Sequence, residues 1–600
     1  MTRTFPDLRT FIDALRARGD VVEILAEVDP HLEAAEIHRR VIAANGPALI
    51  FRNLKGHNWS TVTNLLGTRD RVELAFGSRA REIIGEVAAL PRELLPPSIS
   101  KLWGKRDLFM DLARVGLSKR SAGPVLENCD SPPRLGRLPL LTTWKEDGGP
   151  FITQPLVYTE SPNGHGSNLG MYRIQRFDEQ ECGFHVQIGK GGGFHLGEAE
   201  AMGQELPVHI FLGGPPALLV SAIAPLPENI PEMLLASLIL GERLPVARDR
   251  DSRLPLPIHC EFVLSGRVPP HVRRPEGPFG DHYGYYSLQH DYPVFRCDRL
   301  WHRDAPLLPA TVVGKPRQED FYIGDWLQEL LSPLFPVVMP AVCDLWSYGE
   351  TGYHALSAAV VKQRYKREAM ASAFRILGEG QLSLTKFLLV LDKPVNLRDA
   401  ACVLEHVLER ADFRTDLYVF GNLSMDTLDY AGPKVNEGSK GVLLGVGDPI
   451  RTLPSVFEGS IPPEVRAVKV ACRGALAVEG PSASEDPNFA SRVARLPAFA
   501  NWPLIVVCDS AARATKSMAS FLWTAFTRFE PAADLYGREV VLSRLHPSWT
   551  PPIVLDARMK PHYPAELFCD PATADLVTRR WKEYFPAGLR MGDSDLAHLG

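Results

Sequence analysis

Residues 275–286 read Pro-Glu-Gly-Pro-Phe-Gly-Asp-His-Tyr-Gly-Tyr-Tyr, and this stretch decides how the whole chain is interpreted. Glu276 and Asp281 stand in a turn built from glycine and proline, which can direct both carboxylates into one cleft. Two carboxylates in a cleft push their pKa values apart, so that one of them can act as a general acid. Carboxylates in such turns are also commonly solvated, so the pattern by itself leaves a structural explanation open.

A second cluster lies upstream, where residues 168–173 read Asn-Leu-Gly-Met-Tyr-Arg. Gly170 permits close approach of the backbone to a ligand. The amide oxygen of Asn168 can bind a hard cation, and Arg173 can hold a carboxylate through two parallel hydrogen bonds. A strand that carries a surface arginine in an ion pair explains the same residues, so this pattern alone does not decide either.

Other charged residues occur next to apolar strands. Glu261 belongs to an apolar stretch, where a carboxylate is costly to bury unless it is paired or bound to a metal, and both alternatives fit. Lys386 directly precedes the strand predicted over Phe387–Leu391, and it can contact a phosphate or lie in a solvated loop. Residues 183–195 contain His185 and three consecutive glycines, but they match neither of the common nucleotide-binding patterns.

Hydrophobic patterning predicts a mixed α/β chain with several domains. Helices alternate with strands near the N-terminus, short strands with Gly/Pro-rich turns dominate from Leu138 to Ala310, and βα alternation returns after Phe321. The central segment is predicted to contain a strand over Ala217–Ile223 and a helix over Glu228–Leu240. No internal repeat is evident. The predicted domains are an N-terminal α/β domain (1–130), a central β-rich domain (131–320), a C-terminal α/β domain (321–545) and a tail with a helix (546–600).

The composition argues against several classes of protein. A formal net charge of −5 disfavours nucleic acid as the main partner, because nucleic-acid binders commonly carry a basic stripe. No segment approaches the ~20 consecutive apolar residues of a membrane-spanning helix, and the N-terminus lacks the apolar core of a secretory signal. The nine cysteines are odd in number and form no CxxC pair, which is typical of reduced thiols, so we expect a cytoplasmic protein.

Taken together, the clusters at 168–173 and 276–286, with Ser221, Glu261 and Lys386 in this order around them, resemble the UbiD family of prenylated-FMN-dependent (de)carboxylases. The resemblance extends over most of the chain. Its flanks are similar to a longer-chain branch that includes menaquinone-biosynthesis decarboxylases. The resemblance implies that the central domain is a split β-barrel that binds the flavin, between two α/β domains.

The resemblance also implies catalytic roles. Arg173, Glu276 and Asp281 match the catalytic set of the family, with Arg173 as the clamp for the substrate carboxylate and Glu276 as the proton donor. Asp281 would orient these two residues and help to relay the proton. The expected reaction is a reversible, non-oxidative decarboxylation of an aromatic, heteroaromatic or α,β-unsaturated carboxylic acid.

Cofactor and metal contacts follow from the same resemblance. Asn168 and Glu261 match two ligands of a divalent metal ion, typically Mn²⁺, that binds the cofactor phosphate near a K⁺ ion. Gly189 stands where the family usually has a histidine ligand, and His185 or His195 can substitute for it. The remaining cofactor contacts implied by the resemblance are Met171, Gln187, Ser221, Ala222, Ile223 and Lys386.

Three alternatives remain open on the sequence. The chain can be a quinone-biosynthesis decarboxylase for a naphthoate or a polyprenyl-hydroxybenzoate, or a non-catalytic scaffold subunit, which Gly189 keeps open. An NAD-type oxidoreductase is disfavoured because no GxGxxG follows a strand. A UbiX-type flavin prenyltransferase is expected as the source of the cofactor, and a homo-oligomer, either a dimer or a trimer of dimers, is expected as the assembly.

Overall fold

The computed structural model describes residues 4–95, 98–186, 191–224, 231–249, 251–315 and 317–593. Gln187 and Gly189, to which the sequence assigned roles, lie outside the described residues. The chain forms two compact units: the chain up to Leu330 together with the residues from Glu566 onward, and Leu331–Ala565. Both units combine helices with β-sheets, and the predicted mixed α/β class is confirmed.

The N-terminal part of the first unit alternates helices and strands, as predicted. The side chain of Asp7 accepts a hydrogen bond from the backbone N–H of Thr10, and Thr10 bonds back in a capping box that fixes the start of the first helix. The apolar face of this helix is buried, as its period of 3.6 residues predicts. The elements are α1 (Leu8–Arg16), β1 (Val21–Ile24), α2 (Glu33–Ala43), β2 (Ala48–Phe51), β3 (Ser60–Thr63), α3 (Arg69–Leu94, with a break at Gly77), α4 (Ile99–Gly104) and α5 (Arg106–Arg114).

The central part of the first unit is dominated by strands. The elements are β4 (Leu117–Lys119), β5 (Asn128–Asp130), β6 (Phe151–Ile152), β7 (Leu156–Glu160), β8 (Ser167–Met171), β9 (Ile174–Arg176), β10 (Glu181–Phe184), α6 (Gly191–Ala201), β11 (Leu206–Leu212), α7 (Pro216–Ile223), α8 (Glu232–Leu240), β12 (Leu244–Arg248), β13 (Pro255–Pro257), β14 (Phe262–Val268), β15 (Arg273–Glu276), β16 (Phe279–Gly280), β17 (Tyr286–Ser287), β18 (His290–His302), β19 (Leu307–Pro309) and α9 (Glu319–Leu331).

A ten-stranded sheet, which forms a half-barrel, organises this central part. Its main path is β6-β9-β10-β18-β14-β11-β7-β8, and β5 and β15 also pair with β18. Alternate residues of β11 and β14, such as Ile210 and Leu264, are fully buried in one apolar core. Strand β19 returns to the N-terminal sheet and completes the order β1-β2-β3-β19.

The segment over residues 217–223 is helical, and the predicted strand is wrong. A run that is apolar except for Ser221 lacks the periodicity that distinguishes a strand from a buried helix. Pro216 occupies the first turn of α7, a position that proline favours in helices. The hydroxyl of Ser221 donates to the carbonyl oxygen of Ala217, four residues earlier, at 2.7 Å. The helix predicted over Glu228–Leu240 is present as α8, and residues 225–230 lie outside the described part of the chain.

The second unit contains two five-stranded sheets, β20-β21-β22-β24-β23 and β25-β26-β27-β29-β28. The central strand of each sheet is wholly apolar and buried, as is typical of strands covered on both faces. The elements are α10 (Phe335–Val338), β20 (Val342–Ser347), β21 (Leu356–Val361), α11 (Glu368–Leu377), β22 (Phe387–Leu391), α12 (Ala400–Arg410), β23 (Leu417–Ser424), β24 (Glu437–Gly445), β25 (Ala467–Cys472), β26 (Ala475–Glu479), α13 (Phe489–Val493), β27 (Leu504–Cys508), α14 (Ala511–Ala514), α15 (Met518–Arg528), β28 (Leu535–Ser543) and β29 (His546–Asp556).

The C-terminal segment differs from the predicted tail. Residues 546–556 form β29, so the predicted boundary between 545 and 546 divides a hairpin. The chain then returns to the first unit, where α16 (Pro571–Tyr584) packs on α2 and buries Trp581 and Tyr584 in an apolar cluster. Within the described ranges, no helix combines the length and the apolar character needed to span a bilayer.

Candidate active site

Arg173 lies in a break between two strands of the half-barrel. Strand β8 ends at Met171 and β9 begins at Ile174, so Tyr172 and Arg173 stand between two strands and not within one. The guanidinium group of Arg173 is buried, with 9% of the residue exposed. It donates two hydrogen bonds to Glu276, from Nε at 2.8 Å and from Nη2 at 3.0 Å. Nη1 donates to Asp281 and Nη2 also to the hydroxyl of Ser287.

Both carboxylates of the Gly-Pro turn point at this guanidinium group. Glu276 is the last residue of β15, which is held against β18, and its carboxyl group is fully buried. Asp281 follows β16 and accepts two bonds from His282, one from the backbone N–H and one at the ring Nδ1, both at 2.7 Å. The ring of Phe279 lies 4.8 Å from the guanidinium carbon of Arg173. The structure therefore brings the three predicted catalytic residues into one cluster.

The charges of this cluster depend on each other. Burial raises the pKa of both carboxyls, but Arg173 and His185 lower the pKa of Glu276 to about 2. Hydrogen bonds from His282 and the charge of Arg173 likewise lower the pKa of Asp281 to about 2. Both carboxyls are therefore ionised in this arrangement, and the arginine is their common counter-ion.

His185 lies beside Glu276, although the sequence suggested it only as a metal ligand. Its Nδ1 lies 3.2 Å from Oε2 of Glu276, and its ring packs on Tyr292 with 4.3 Å between ring centroids. Burial lowers the pKa of His185, and the adjacent Arg173 lowers it further. A neutral ring that donates from Nδ1 leaves Nε2 as an acceptor. This Nε2 is buried and has no hydrogen-bond partner among the residues that the structure describes.

Asn168 lies in a different group of side chains, at the edge strand β8. Its Nδ2 donates to the hydroxyl of Tyr172 at 3.1 Å. The backbone N–H of the next residue, Leu169, donates to Oε2 of Glu232 at 2.9 Å. A Cβ atom on Gly191 would lie 2.2 Å from Oδ1 of Asn168, so only glycine fits at this point of α6. Residues 168 and 169 of β8 thus carry an amide oxygen and bind a carboxylate, and both groups are ligand types for hard cations.

Glu232 was not predicted as a site residue. It is a carboxylate in the first turn of α8, a helix that is otherwise almost wholly apolar, and burial raises its pKa. That isolated charge at the start of an apolar helix is the signal that could have identified it. Among the described residues, no group of three or more His, Cys, Asp or Glu side chains is arranged to hold a metal ion.

Glu261 forms a buried ion pair, one of the two alternatives that the sequence left open. Arg9 binds both of its carboxylate oxygens at 2.9 Å. Arg303 donates to Oε1 at 3.3 Å, and the backbone N–H of Leu307 donates to Oε2 at 3.0 Å. The three predicted metal ligands therefore have different partners: Tyr172 for Asn168, Glu276 for His185, and two arginines for Glu261.

The other predicted cofactor contacts are distributed over both units. Met171 ends β8, and residues 221–223 form the last turn of α7, where the hydroxyl of Ser221 is bonded within its own helix. Lys386 belongs to the second unit, is almost fully buried, and lies 2.7 Å from Oδ2 of Asp429. Burial lowers the pKa of Lys386, and Asp429 opposes that shift. The cofactor roles of these residues stay predictions.

Three family models match the chain, and each describes a part of 3-octaprenyl-4-hydroxybenzoate carboxy-lyase. They are the N-terminal domain over residues 12–90, the Rift-related domain over 117–316 and the C-terminal domain over 321–445. A curated relative from Chlamydia pneumoniae, named as a subunit of 4-hydroxybenzoate decarboxylase, is 49% identical over 579 residues, which cover 96% of this chain and 98% of the relative. This chain belongs to the UbiD family. The predicted family and the predicted enzyme class, a carboxy-lyase, are confirmed.

Solved structures share the fold of this UbiD-family chain. The vanillic acid decarboxylase of Sedimentibacter hydroxybenzoicus in its closed form has a TM-score of 0.66 at 25% identity, covering 77% of this chain and 96% of that one. The UbiD-class enzyme HmfF of Pelotomaculum thermopropionicum, in complex with FMN, has a TM-score of 0.60 at 21% identity, covering 76% and 97%. The second likeness concerns the fold alone.

Proposed function

We propose that this UbiD-family chain is a prenylated-FMN-dependent decarboxylase of an aromatic, heteroaromatic or α,β-unsaturated carboxylic acid. The observation that supports this most strongly is the buried cluster of Arg173, Glu276, Asp281 and His185. A cation that holds a carboxylate beside a potential proton donor, away from water, suits loss of CO2 followed by protonation. The names of two relatives, acting on 4-hydroxybenzoate and vanillic acid, support an aromatic acid as the substrate.

Arg173 is proposed as the clamp for the substrate carboxylate. Of the five N–H donors of a guanidinium group, four are bonded to Glu276, Asp281 and Ser287. The second hydrogen on Nη1 has no partner in the described part of the chain. A substrate carboxylate can bind there first and then compete with the protein carboxylates for the remaining donors. Phe279, against the guanidinium group, restricts its movement.

Glu276 is proposed as the proton donor. Its pKa is low only because Arg173 and His185 offset the effect of burial. When Arg173 turns part of its hydrogen bonding to a substrate carboxylate, burial dominates and raises the pKa of Glu276, so that the carboxyl group takes up a proton. His185, whose Nδ1 contacts Glu276, is placed to pass that proton on, and Asp281 keeps Arg173 in position. The protonated Glu276 can then deliver its proton to the carbon that carried CO2.

The residues around Asn168 fit a flavin phosphate with a divalent metal ion. The amide oxygen of Asn168 and the carboxylate of Glu232, which accepts from the adjacent Leu169 N–H, are hard oxygen ligands of the kind that Mn²⁺ prefers. Met171 and the last turn of α7 would add further cofactor contacts, with K⁺ as an additional ion. Prenylated FMN, when bound, supplies an electron-accepting ring system for the electron pair of the cleaved bond.

The test is co-expression with a UbiX-type flavin prenyltransferase, followed by a visible absorbance spectrum and an assay on a panel of acids. The panel contains 4-hydroxybenzoate, vanillate, a polyprenyl-hydroxybenzoate, a naphthoate and a heteroaromatic acid. We expect bound flavin and release of CO2 from at least one member. Glu276→Gln is expected to keep the flavin absorbance and lose turnover by at least about 10²-fold. A colourless protein would favour a scaffold subunit, and a fully active Gln variant would remove Glu276 from its role.

A further inference from the structure

The two sheets of the second unit have the same topology. In each sheet the first strand in the chain is antiparallel to the second, and the second is parallel to the third. The third is parallel to the fifth, and the fifth is antiparallel to the fourth. We call residues 342–447 the first repeat and residues 467–559 the second repeat. In both, a helix follows the second strand and another helix precedes the final hairpin.

The register of the strands is also the same in both repeats. Aligning Phe387 with Leu504 superimposes the pairing partners on both sides of this central strand. The same alignment carries over to the final hairpin, where each repeat has a register shift close to the same place, after Phe420 and after Gly537. The matching pairs are Leu356↔Phe387 with Ala475↔Leu504, Phe387↔Gly441 with Leu504↔Ile553, and Leu417↔Leu443 with Leu535↔Leu555.

Two side-chain hydrogen bonds recur at matching positions. After the central strand of the first repeat, Oδ2 of Asp392 accepts from the backbone N–H of Gly447 at 3.0 Å. In the second repeat, Oδ2 of Asp509 accepts from the backbone N–H of Met559 at 2.9 Å. The register places Asp392 on Asp509 and Gly447 on Met559. One aspartate therefore ties the same two loops together in each repeat.

The second recurring bond lies before the hairpin, where residues 416–418 and 534–536 both read Asp-Leu-Tyr. Oδ2 of Asp416 accepts from the backbone N–H of Asp412 at 2.9 Å. Oδ2 of Asp534 accepts from the backbone N–H of Glu530 at 2.8 Å. In both cases the bond joins residues four positions apart, in the turn between a helix and an edge strand. Shared topology, register and turn chemistry indicate a duplicated fold.

The two repeats contact each other reciprocally, through matching elements. Helix α15 of the second repeat packs on the turn Gly349–Thr351, between β20 and β21 of the first. Conversely, α12 of the first repeat packs on β25, and Arg473 of the β25–β26 turn bonds to Oε2 of Glu405 on α12, at 2.8 Å and 2.7 Å. Arg473 also lies 4.0 Å from Glu409, one turn further along α12.

A second pair of contacts obeys the same rule. The backbone N–H of Trp549, in β29, donates to the carbonyl oxygen of Phe413, in the loop after α12, at 3.4 Å. The backbone N–H of Ala532, in the loop after α15, donates to the hydroxyl of Ser439, in β24, at 2.9 Å. In both pairs of contacts, an element of one repeat contacts an element of the other, and the two equivalent elements contact each other with the repeats exchanged. Such reciprocal contacts are typical of a two-fold, isologous interface.

We propose that residues 467–559 are a second copy of the fold in residues 342–447 and serve as its built-in partner. The self-complementary face of the first repeat is covered by the second repeat of the same chain, so it needs no second chain to cover it. Any homo-oligomer of this protein then assembles through other surfaces. The matched family models end at residue 445 and do not include the second repeat.

The differences between the repeats support a covering role for the second one. In the first repeat, residues 425–436 connect β23 to β24 and contribute Asp429, which pairs with Lys386. In the second repeat, only Arg544 and Leu545 connect the two hairpin strands. The residue at the position of Lys386 is Pro503, which has no charge. The second repeat thus keeps the backbone and the contact face and lacks the buried ion pair.

Two native cysteines allow a direct test on the full-length protein. Cys402 lies one turn before Glu405 on α12, and Cys472 directly precedes Arg473. The protein would be treated with a short bis-maleimide, separated on a denaturing gel, and each band digested for mass spectrometry. We expect a Cys402–Cys472 bridge in the band of the single chain. A bridge confined to the band of two linked chains, or thiols that are each capped without forming a bridge, would overturn the proposal.

Matched variants keep this test independent of the reagent. Cys402→Ser and Cys472→Ser should each abolish the bridge and leave the fold unchanged. Arg473→Glu places a third carboxylate beside Glu405 and Glu409 and should lower the bridge yield several-fold. Adding Glu405→Arg should restore the yield, because the reversed pair attracts again. Full yield in the single Arg473→Glu variant would contradict the assigned contact between the repeats.

Discussion

At the scale of single residues, Arg173 controls the charge of the candidate site. One positive charge faces two carboxylates whose pKa values are about 2, and the pKa of the adjacent His185 is lowered by burial and by Arg173. The group of Arg173, Glu276 and Asp281 therefore carries one net negative charge. An anionic substrate adds a second negative charge to this buried site. Its binding is favoured when one of the carboxyl groups takes up a proton.

We predict that substrate binding takes up one proton at neutral pH. The complex then holds one proton more than the free site, so the affinity for substrate falls as pH rises, by up to about tenfold per pH unit. Calorimetric titration of the flavin-loaded protein in two buffers with different ionisation enthalpies measures this uptake. Glu276→Gln removes the proposed acceptor of this proton and serves as the control, in which the uptake should be smaller. An affinity that does not change with pH would contradict the prediction.

The second residue-scale prediction separates Glu232 from Glu261. Glu232→Gln is expected to lower the metal and flavin content of the purified holo-protein, because it removes a charged oxygen beside Asn168. Glu261→Gln is expected to leave both contents unchanged and to destabilise the first unit by up to about 3–5 kcal/mol, because two arginines lose their buried partner. Metal analysis, flavin absorbance and urea unfolding distinguish the two variants, and metal loss confined to Glu261→Gln would reverse the assignment.

Three residues that the sequence singled out lie in one cluster, and the sequence missed other members of the candidate site for physical reasons. Glu276 and Asp281 stand in a short motif rich in glycine and proline, where local chemistry already restricts the geometry, and Arg173 follows Gly170 in a second short motif. His185 and Glu232 reach their partners only through strand pairing and helix packing over long sequence distances. The one local signal is the isolated charge of Glu232 at the start of an apolar helix, and it does not reveal which residues Glu232 contacts.

At the scale of elements, helices with one apolar face were predictable and wholly apolar elements were not. The apolar residues of helix α1 recur with a period of 3.6 residues, and a capping box precedes them. Both features can be recognised in the sequence. Helix α7 is apolar on all sides, so its sequence fits a buried strand equally well. Its first-turn proline was the only local signal for a helix. The break after β8 was also hidden, because Tyr172 and Arg173 suit a continuous strand.

The terminal helix α16 provides a prediction at this scale. Trp581 is 8% exposed, packs in the apolar cluster around α2, and donates from Nε1 to the carbonyl oxygen of Leu589. Trp581→Ala should destabilise the docked helix by about 3–5 kcal/mol. Hydrogen exchange of the α2 amides in increasing urea measures this loss. Trp103, which is 69% exposed, is the matched control, because Trp103→Ala should change stability by no more than about 0.5 kcal/mol.

At the scale of the whole molecule, the order of helical and strand-rich segments was enough for the fold class. The duplication in the second unit was not detectable, because strand pairing and backbone bonds are preserved while the side chains differ. The tripeptide Asp-Leu-Tyr is too short to reveal a repeat. A sheet of five strands accepts many different apolar residues at each buried position. The strand pairing of the two repeats can therefore stay the same while their sequence similarity is lost.

The order of the units along the chain has a consequence for synthesis. The first unit is completed only by residues that follow Leu331–Ala565, a segment of 235 residues (565 − 331 + 1). At roughly 5–20 residues per second on the ribosome, tens of seconds pass between the emergence of α2 and that of α16. Throughout that interval the apolar face that later receives Trp581 and Tyr584 is uncovered on the nascent chain. The half-made protein is therefore a natural client for chaperones that bind exposed apolar surface, until its last helix leaves the ribosome.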